Sequence, residues 1–70
     1  MQKFLIVIEK AKKNYSAYSP DLPGCIATGK TVEEVEKNIY EAIEMHLEGM
    51  KEDNISIPAS TAIAEYMVVQ

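Results

Sequence analysis

Apolar positions along this chain change their spacing from one stretch to the next, and each spacing predicts an element. Phe4, Leu5, Ile6, Val7 and Ile8 are consecutive apolar residues between Lys3 and Glu9. The run is too short for a helix and rich in β-branching, so it reads as a strand with both faces apolar. Lys10-Ala11-Lys12-Lys13-Asn14 supplies a polar loop, and Tyr15 to Ser19 a second strand, pairing with the first as an antiparallel hairpin. Cys25 to Gly29 continues as a third strand. From Thr31 the period becomes helical, with Val32, Val35, Ile39, Ala42, Ile43, His46, Leu47 and Met50 on one stripe. Thr31 can act as N-cap with Glu34 three residues on, a Thr-x-x-Glu capping box, and Glu33 and Glu34 suit the positive end of the helix dipole. Asn54 is placed for a left-handed cap, with Ile55 and Ile57 folding back onto the helix end, and Pro58 forbids continuation. After a short connection, Ala59 to Ala62, the run Ala64 to Val69 is expected as a final strand pairing with the other strands. The predicted class is α+β, in the order β-β-β-α-β: a small antiparallel sheet with one helix on one face.

Between the second and third strands, Ser19-Pro20-Asp21-Leu22-Pro23-Gly24-Cys25-Ile26 sets a rigid corner. Each proline biases the residue before it, Ser19 and Leu22, toward extended geometry. Pro23-Gly24 fits the central positions of a type II turn, where glycine supplies the positive φ. Asp21 is the one charge in the corner. It is expected to accept backbone hydrogen bonds in an Asx-turn, and it is also a candidate contact for a partner's lysine.

One helix covers only one face of a four-stranded sheet. Phe4, Ile6 and Ile8 point one way and Leu5 and Val7 the other, and the last strand likewise sets Tyr66 and Val68 against Met67 and Val69. A solvent-facing side should alternate with polar residues, so the second face or an edge strand is expected to meet a second copy of the chain. Size points the same way. Seventy residues make a single domain, residues 1–70, that buries only roughly 60% of its unfolded surface. The single cysteine, Cys25, allows no internal disulfide. A homodimer is therefore expected. The apolar run at the N-terminus is too short for a secretory or membrane segment, which places the expected site of action in the cytoplasm, away from membranes.

Charge sharpens the picture more by its distribution than by its net value of -4. Thr31 to Asp53 holds Glu33, Glu34, Glu36, Glu41, Glu44, Glu48, Glu52 and Asp53 against Lys37 and Lys51, whereas the rest of the chain is basic on balance. Every basic residue is a lysine, without arginine's planar fork for phosphate and base edges, so direct nucleic-acid binding by this chain is not expected. A cationic protein partner suits the acidic helix, with Glu41, Glu44 and Glu48 as candidate contacts beside Asp21.

The same residues argue against catalysis. Cys25 and His46 are the only thiol and imidazole, but His46 falls on the apolar helical stripe and no orienting group or oxyanion-hole glycine run accompanies them. The pair also falls short of a four-ligand zinc site. Glu9 and Glu65 sit at strand ends, while most acids lie on the outward helix face, so no convergent trio for two-metal nuclease chemistry can be assigned. Tyr15 and Tyr18 project from opposite faces of one strand and cannot form a shared base-stacking platform. No catalytic, cofactor-binding or metal-binding residue is assigned, and no enzyme activity or cofactor is expected.

Tyr15-Ser16-Ala17-Tyr18, the Pro20-Asp21-Leu22-Pro23-Gly24-Cys25 corner, Gly29-Lys30-Thr31 and Ile57-Pro58, with Glu33, Glu34, Asn38, Glu41, Ala42 and Ile43 on the helix, together resemble the HicB family of bacterial toxin-antitoxin proteins. The resemblance covers most of the chain. It implies a partial ribonuclease H-like fold without nuclease activity, dimerisation, and neutralisation of a small basic HicA-type toxin that cleaves messenger RNA. Many members continue into a helix-turn-helix or ribbon-helix-helix domain that binds operator DNA. No such C-terminal DNA-binding domain is expected within these residues. The alternative is a stand-alone dimeric module that binds a small ligand or scaffolds another protein, with no toxin partner.

Overall fold

A computed structural model describes residues 2–70 of the chain. Three strands, β1 (Val7–Lys10), β2 (Tyr15–Tyr18) and β3 (Ile26–Gly29), precede one helix, α1 (Val32–Glu52). The strands form an antiparallel sheet in the order β1-β2-β3. Its register stacks Ile8, Ala17 and Ala27 across the three strands, with Val7, Tyr18 and Ile26 in the next row. The α+β class and the single helix on a small antiparallel sheet are as the residue pattern predicts.

The helix seats on the row of small side chains. Ala17, Leu22, Cys25, Val35 and Ile39 are buried, and Phe4, Ile6, Ile8, Tyr15, Ala27, Ala42, Ile43 and Leu47 pack around them. Alanines at positions 17 and 27 keep the sheet surface low, so the helix comes close. Closest of all is Gly29, where an added Cβ would stand 2.6 Å from the Val35 amide nitrogen and 2.9 Å from its Cα. The helix entrance is secured beside it. Thr31 caps the helix by accepting from the Glu34 amide at 3.0 Å, and the Glu34 carboxylate accepts from the Lys30 N–H at 2.9 Å. The return bond of the capping box thus reaches one residue before the cap. Asn38 Nδ2 donates to the Thr28 carbonyl at 2.8 Å, tying the second helical turn to β3.

At the far end the backbone closes a Schellman motif: Asn54 N–H donates to Lys51 O at 3.2 Å and Ile55 N–H to Met50 O at 2.8 Å. Asn54 is left-handed, φ 56°, as a C′ asparagine tolerates. Between these caps α1 runs for 21 residues, about 32 Å, whereas each strand has four, about 13 Å. The helix overhangs the sheet. That is why Val35 and Ile39 are buried while Ala42, Ile43, His46, Leu47 and Met50 on the same stripe are only half-buried.

Two expectations are corrected. β1 begins at Val7 rather than near Lys3: Val7 pairs with Tyr18, the last β2 residue turned toward β1, since Ser19 faces β3 and gives its amide to the Cys25 carbonyl. Pro20 beyond it has no amide to give. Secondly, Ala64–Val69 joins no ladder, so the sheet has three strands and not four. The segment does travel beside β1. Ile57–Ser60 share a cavity with Gln2–Phe4, Ser60 and Ala62 with Lys3–Leu5, and Ala64–Tyr66 with Ile6–Ile8. It therefore runs in the same direction as β1, but a cavity of about 290 Å³ separates the two at Ile6–Ile8, wide enough for water to take the backbone groups instead.

Two glycines test this packing with opposite signs. Gly29→Ala drives a methyl into the Val35 backbone and should lower stability by about 1–3 kcal/mol. Gly49→Ala, in the helix with no atom within 4 Å of the new methyl, should raise it by about 0.5–1 kcal/mol. Urea midpoints of the two variants measure this. Equal midpoints would show that the helix does not approach the sheet as described.

Candidate functional site

The proline corner consists of two successive turns. Leu22 N–H donates to Ser19 O at 3.1 Å across Pro20-Asp21, and Cys25 N–H to Leu22 O at 3.0 Å across Pro23-Gly24. Gly24 has φ 85°, the positive value that the third residue of a type II turn requires. Ser19 N–H to Cys25 O, 3.4 Å, closes the base. Inward, the corner buries Ser19, Leu22 and Cys25. Burial pushes the Cys25 thiol up from its ordinary value, the opposite of what a nucleophilic thiolate needs.

Asp21 points its carboxylate out of the corner and onto the C-terminal segment. Oδ2 accepts from the Ser60 hydroxyl at 2.8 Å, and Oδ1 from the Thr61 amide at 3.4 Å and the Thr61 hydroxyl at 3.5 Å. The Ser60 hydroxyl is the chief cause that holds this carboxyl below its ordinary value; desolvation opposes it, and the Thr61 and Ala62 amides and the Thr61 hydroxyl add to it. The expected Asx-turn is therefore replaced by a long-range clamp. The reason was readable in the residues: an Asx-turn draws on the amide two positions on, and that residue is Pro23, which has none.

Glu41, Glu44 and Glu48 are all exposed on α1. At about 100° per residue they fall within an arc of about 60°, and Glu52 extends it. Glu44, Met45, Glu48, Gly49 and Glu52 line one shallow groove, with Met45 largely exposed. This surface belongs to the overhanging half of the helix. Glu44, Glu48 and Glu52 follow at i, i+4 spacing, where like charges destabilise by about 0.2–0.5 kcal/mol a pair. Asp21, in contrast, is engaged with Ser60 and Thr61, so the candidate acids form one helix group and one separate clamp.

Four lysines sit at the other end of the sheet, beside Glu33, Glu34 and Glu36 of the first helical turns. Lys10 pairs with Tyr15 and Tyr15 with Gly29, which gathers Lys10, the Lys12-Lys13 loop and Lys30 about the entrance of α1. The Lys10 ammonium lies 6.0 Å from the centre of the Tyr15 ring. Tyr15 packs against the core and Tyr18 lies on the open face, so the two rings are on opposite sides. Among the described residues, no three His, Cys, Asp or Glu side chains come together as a metal site, and no helix is long and apolar enough to cross a membrane.

The sequence pattern of the HicB-like antitoxins of bacterial toxin-antitoxin systems matches residues 4–70. The chain belongs to this family. Its HicB-like sequence is 44% identical over 62 residues, 89% of the chain, to an uncharacterised 14.9 kDa protein of Haemophilus phage HP1, and spans 47% of that relative's length. A UPF0150 protein of Helicobacter pylori is 44% identical over 50 residues, 71% of this chain and 69% of the relative. One from Thermoplasma acidophilum is 39% identical over 61 residues, 86% and 88%. In three dimensions the HicB-like fold is similar to a chain of the solved HicA3 and HicB3 toxin-antitoxin complex, with TM-score 0.67 and 27% identity over 84% of this chain and 72% of that one. The membership speaks for a regulatory, non-enzymatic role in a toxin-antitoxin system.

The Asp21 clamp has a definite pH signature. Because its carboxyl is held below the ordinary value, its contribution is fully present above the ordinary aspartate pKa, about 3.9, and is lost as pH falls through the depressed folded value. At neutral pH, Asp21→Ala should speed amide hydrogen exchange at Thr61 and Ala62 severalfold while exchange in α1 stays unchanged. Equal Thr61 and Ala62 rates in the variant would show that the carboxylate does not hold the segment.

Proposed function

We propose that this chain is an antitoxin that binds and neutralises a small, basic HicA-type toxin that cleaves messenger RNA, and that it does so as a cytoplasmic homodimer. The observation that carries the reading is the acidic face on the overhanging half of α1. Glu44, Glu48 and Glu52 are stacked one turn apart with no cation at i±4 among them, a local conflict that a cationic partner relieves. The family and the likeness to a HicA–HicB complex support a protein toxin as that partner.

In this mechanism the acidic face accelerates encounter and fixes the orientation of approach, because charge complementarity acts mainly on the association rate. Exposed Met45, in the same groove as Glu44, Glu48 and Glu52, supplies apolar contact once the charges have met. Asp21 contributes by holding the C-terminal segment and offers its outward carboxylate to a partner lysine when that segment moves. The sheet and the core have no chemical step to perform. Inhibition is steric: the chain occupies the toxin's RNA-binding surface and thereby excludes substrate.

Two experiments test the proposal. Tagged chain is co-expressed with the small open reading frame beside its gene; growth arrest by the neighbour alone, relieved by this chain with a stoichiometric complex, is the expected result. A harmless neighbour that does not co-purify would instead favour the stand-alone binding module. With the complex in hand, the Glu41→Lys, Glu44→Lys, Glu48→Lys triple variant should associate at least about tenfold more slowly at low salt and lose most of its salt dependence. Unchanged kinetics would remove this helix face from the interface.

A further inference from the structure

Two of the three glycines have their reason inside the fold. Gly24 takes the positive φ of its turn, and Gly29 lets the Val35 backbone lie against β3. Gly49 has neither reason. It sits inside α1 without a positive φ, and an added Cβ would meet no atom of the described residues within 4 Å. The helix stop does not need it either, because the left-handed residue is Asn54 and the closing bonds run from Asn54 and Ile55 to Lys51 and Met50. Its carbonyl accepts from the Asp53 amide at 3.1 Å, which the carbonyl of any residue would do. A glycine in a helix interior is destabilising relative to alanine. The fold therefore carries that cost at position 49 without using it.

What the missing side chain does is open the helix surface. Glu44, Glu48 and Glu52 form one i, i+4 row, Met45 and Gly49 the next, and the shallow groove between the rows is lined by these five residues. A side chain at position 49 would stand in that groove and part Met45 from Glu52. One wall thus carries three carboxylates about 6 Å apart along the axis, the other a methionine that is 76% exposed, and none of the lining residues is cationic. Such a groove fits a long apolar stem with a cationic head. Of the two side chains of that kind, lysine ends in a compact, strongly hydrated point charge, which has no use for an apolar wall. Arginine ends in a planar, weakly hydrated guanidinium that can fork one carboxylate and still offer an N–H to the next acid along the row.

We propose that Gly49 determines specificity at the partner interface: it leaves the space in which one arginine of the protein partner lays its stem against Met45 and its guanidinium between Glu48 and Glu52. The inference rests on the antitoxin reading above and deepens it, by naming the side chain that the acidic face receives. Two parts of one surface then act at different stages. The carboxylates attract at long range and govern the association rate, while the seated arginine governs how long the complex lasts. The guanidinium also relieves the like-charge spacing of the row. A larger residue at position 49 leaves the charges in place and removes only the seat.

The test uses the full chain and the product of the neighbouring small open reading frame. Leucine is a strong helix former and its Cβ has room at position 49, so Gly49→Leu should match or exceed the urea midpoint of the unmodified chain. Its complex should nevertheless dissociate at least about tenfold faster, with the association rate and its salt dependence unchanged. Stability and residence time thus move apart, which a misfolded variant cannot produce. Each arginine of the neighbour's product is then replaced by lysine. One replacement should speed dissociation from the unmodified chain at least about tenfold and add little with Gly49→Leu, the coupling expected of two residues in contact. If leucine lowers the midpoint, Gly49→Ala takes its place, with faster dissociation expected and an unchanged rate counting against the seat. A Gly49→Leu complex that folds and lasts as long as the unmodified one overturns the inference and leaves the antitoxin reading standing. So does a set of arginine replacements in which none is coupled to position 49. Failure of the unmodified chain to bind the neighbour's product overturns both together.

Discussion

The contact between Gly29 and the first turn of α1 is the constraint on which the other packing depends. Only a residue without a Cβ lets the Val35 backbone lie against β3, and that approach sets the height of the helix above the Ala17–Ala27 row. Thr31 and Glu34 fasten the chain as it turns from strand to helix, and Asn38 adds a second tie one turn later. With the entrance pinned, Val35 and Ile39 are driven into the small core alongside Leu22 and Cys25. The direction of the whole helix follows, including the half that projects beyond the strands and carries its acids outward. Packing at one glycine thus determines where the electrostatic surface is displayed.

Elements whose cause is local could be read from the residues. The capping box, the left-handed Asn54 and the type II turn at Pro23-Gly24 each depend on a few neighbouring side chains, and each forms as their chemistry requires. The helical stripe was legible for the same reason, since its period needs no partner to be seen. What local pattern could not supply was the state of segments that depend on distant ones. Ala64–Val69 has the composition of a strand, yet a strand exists only with a neighbour, and nothing in six residues specifies where that neighbour lies. β1 lost its first residues because Pro20, the next position of the chain turned toward it, has no amide, a limit set by the corner and not by the run of apolar residues itself.

The candidate site was legible in proportion to how far its residues act alone. Glu41, Glu44 and Glu48 were identifiable as one outward face because helical periodicity places them, and they are exposed on one side of α1. Asp21 was legible as a distinctive charge but not as a clamp, because its partners Ser60 and Thr61 are some forty positions away. The preceding turn logic did contain one usable signal, the missing amide of Pro23. The overhang of α1 was also implicit in the ratio of helix length to strand length, and it explains why the lower half of the stripe remains partly open.

The separation of charge between the two ends of the molecule has a dynamic consequence. At the helix entrance Lys10, Lys12, Lys13 and Lys30 are offset by Glu9, Glu33, Glu34 and Glu36, while Glu41, Glu44, Glu48, Glu52 and Asp53 on the projecting half have only Lys51 among them, along a body whose longest dimension is 46 Å. With its excess negative charge gathered at one end, such a body carries a permanent electric dipole. In the field of an approaching cationic molecule it experiences a torque as well as an attraction, and it begins to turn its acidic end toward the visitor once the two are within about one Debye length, 8–10 Å at cellular salt. Rotational search, usually the slow part of docking two specific patches, is thereby shortened before any atoms touch.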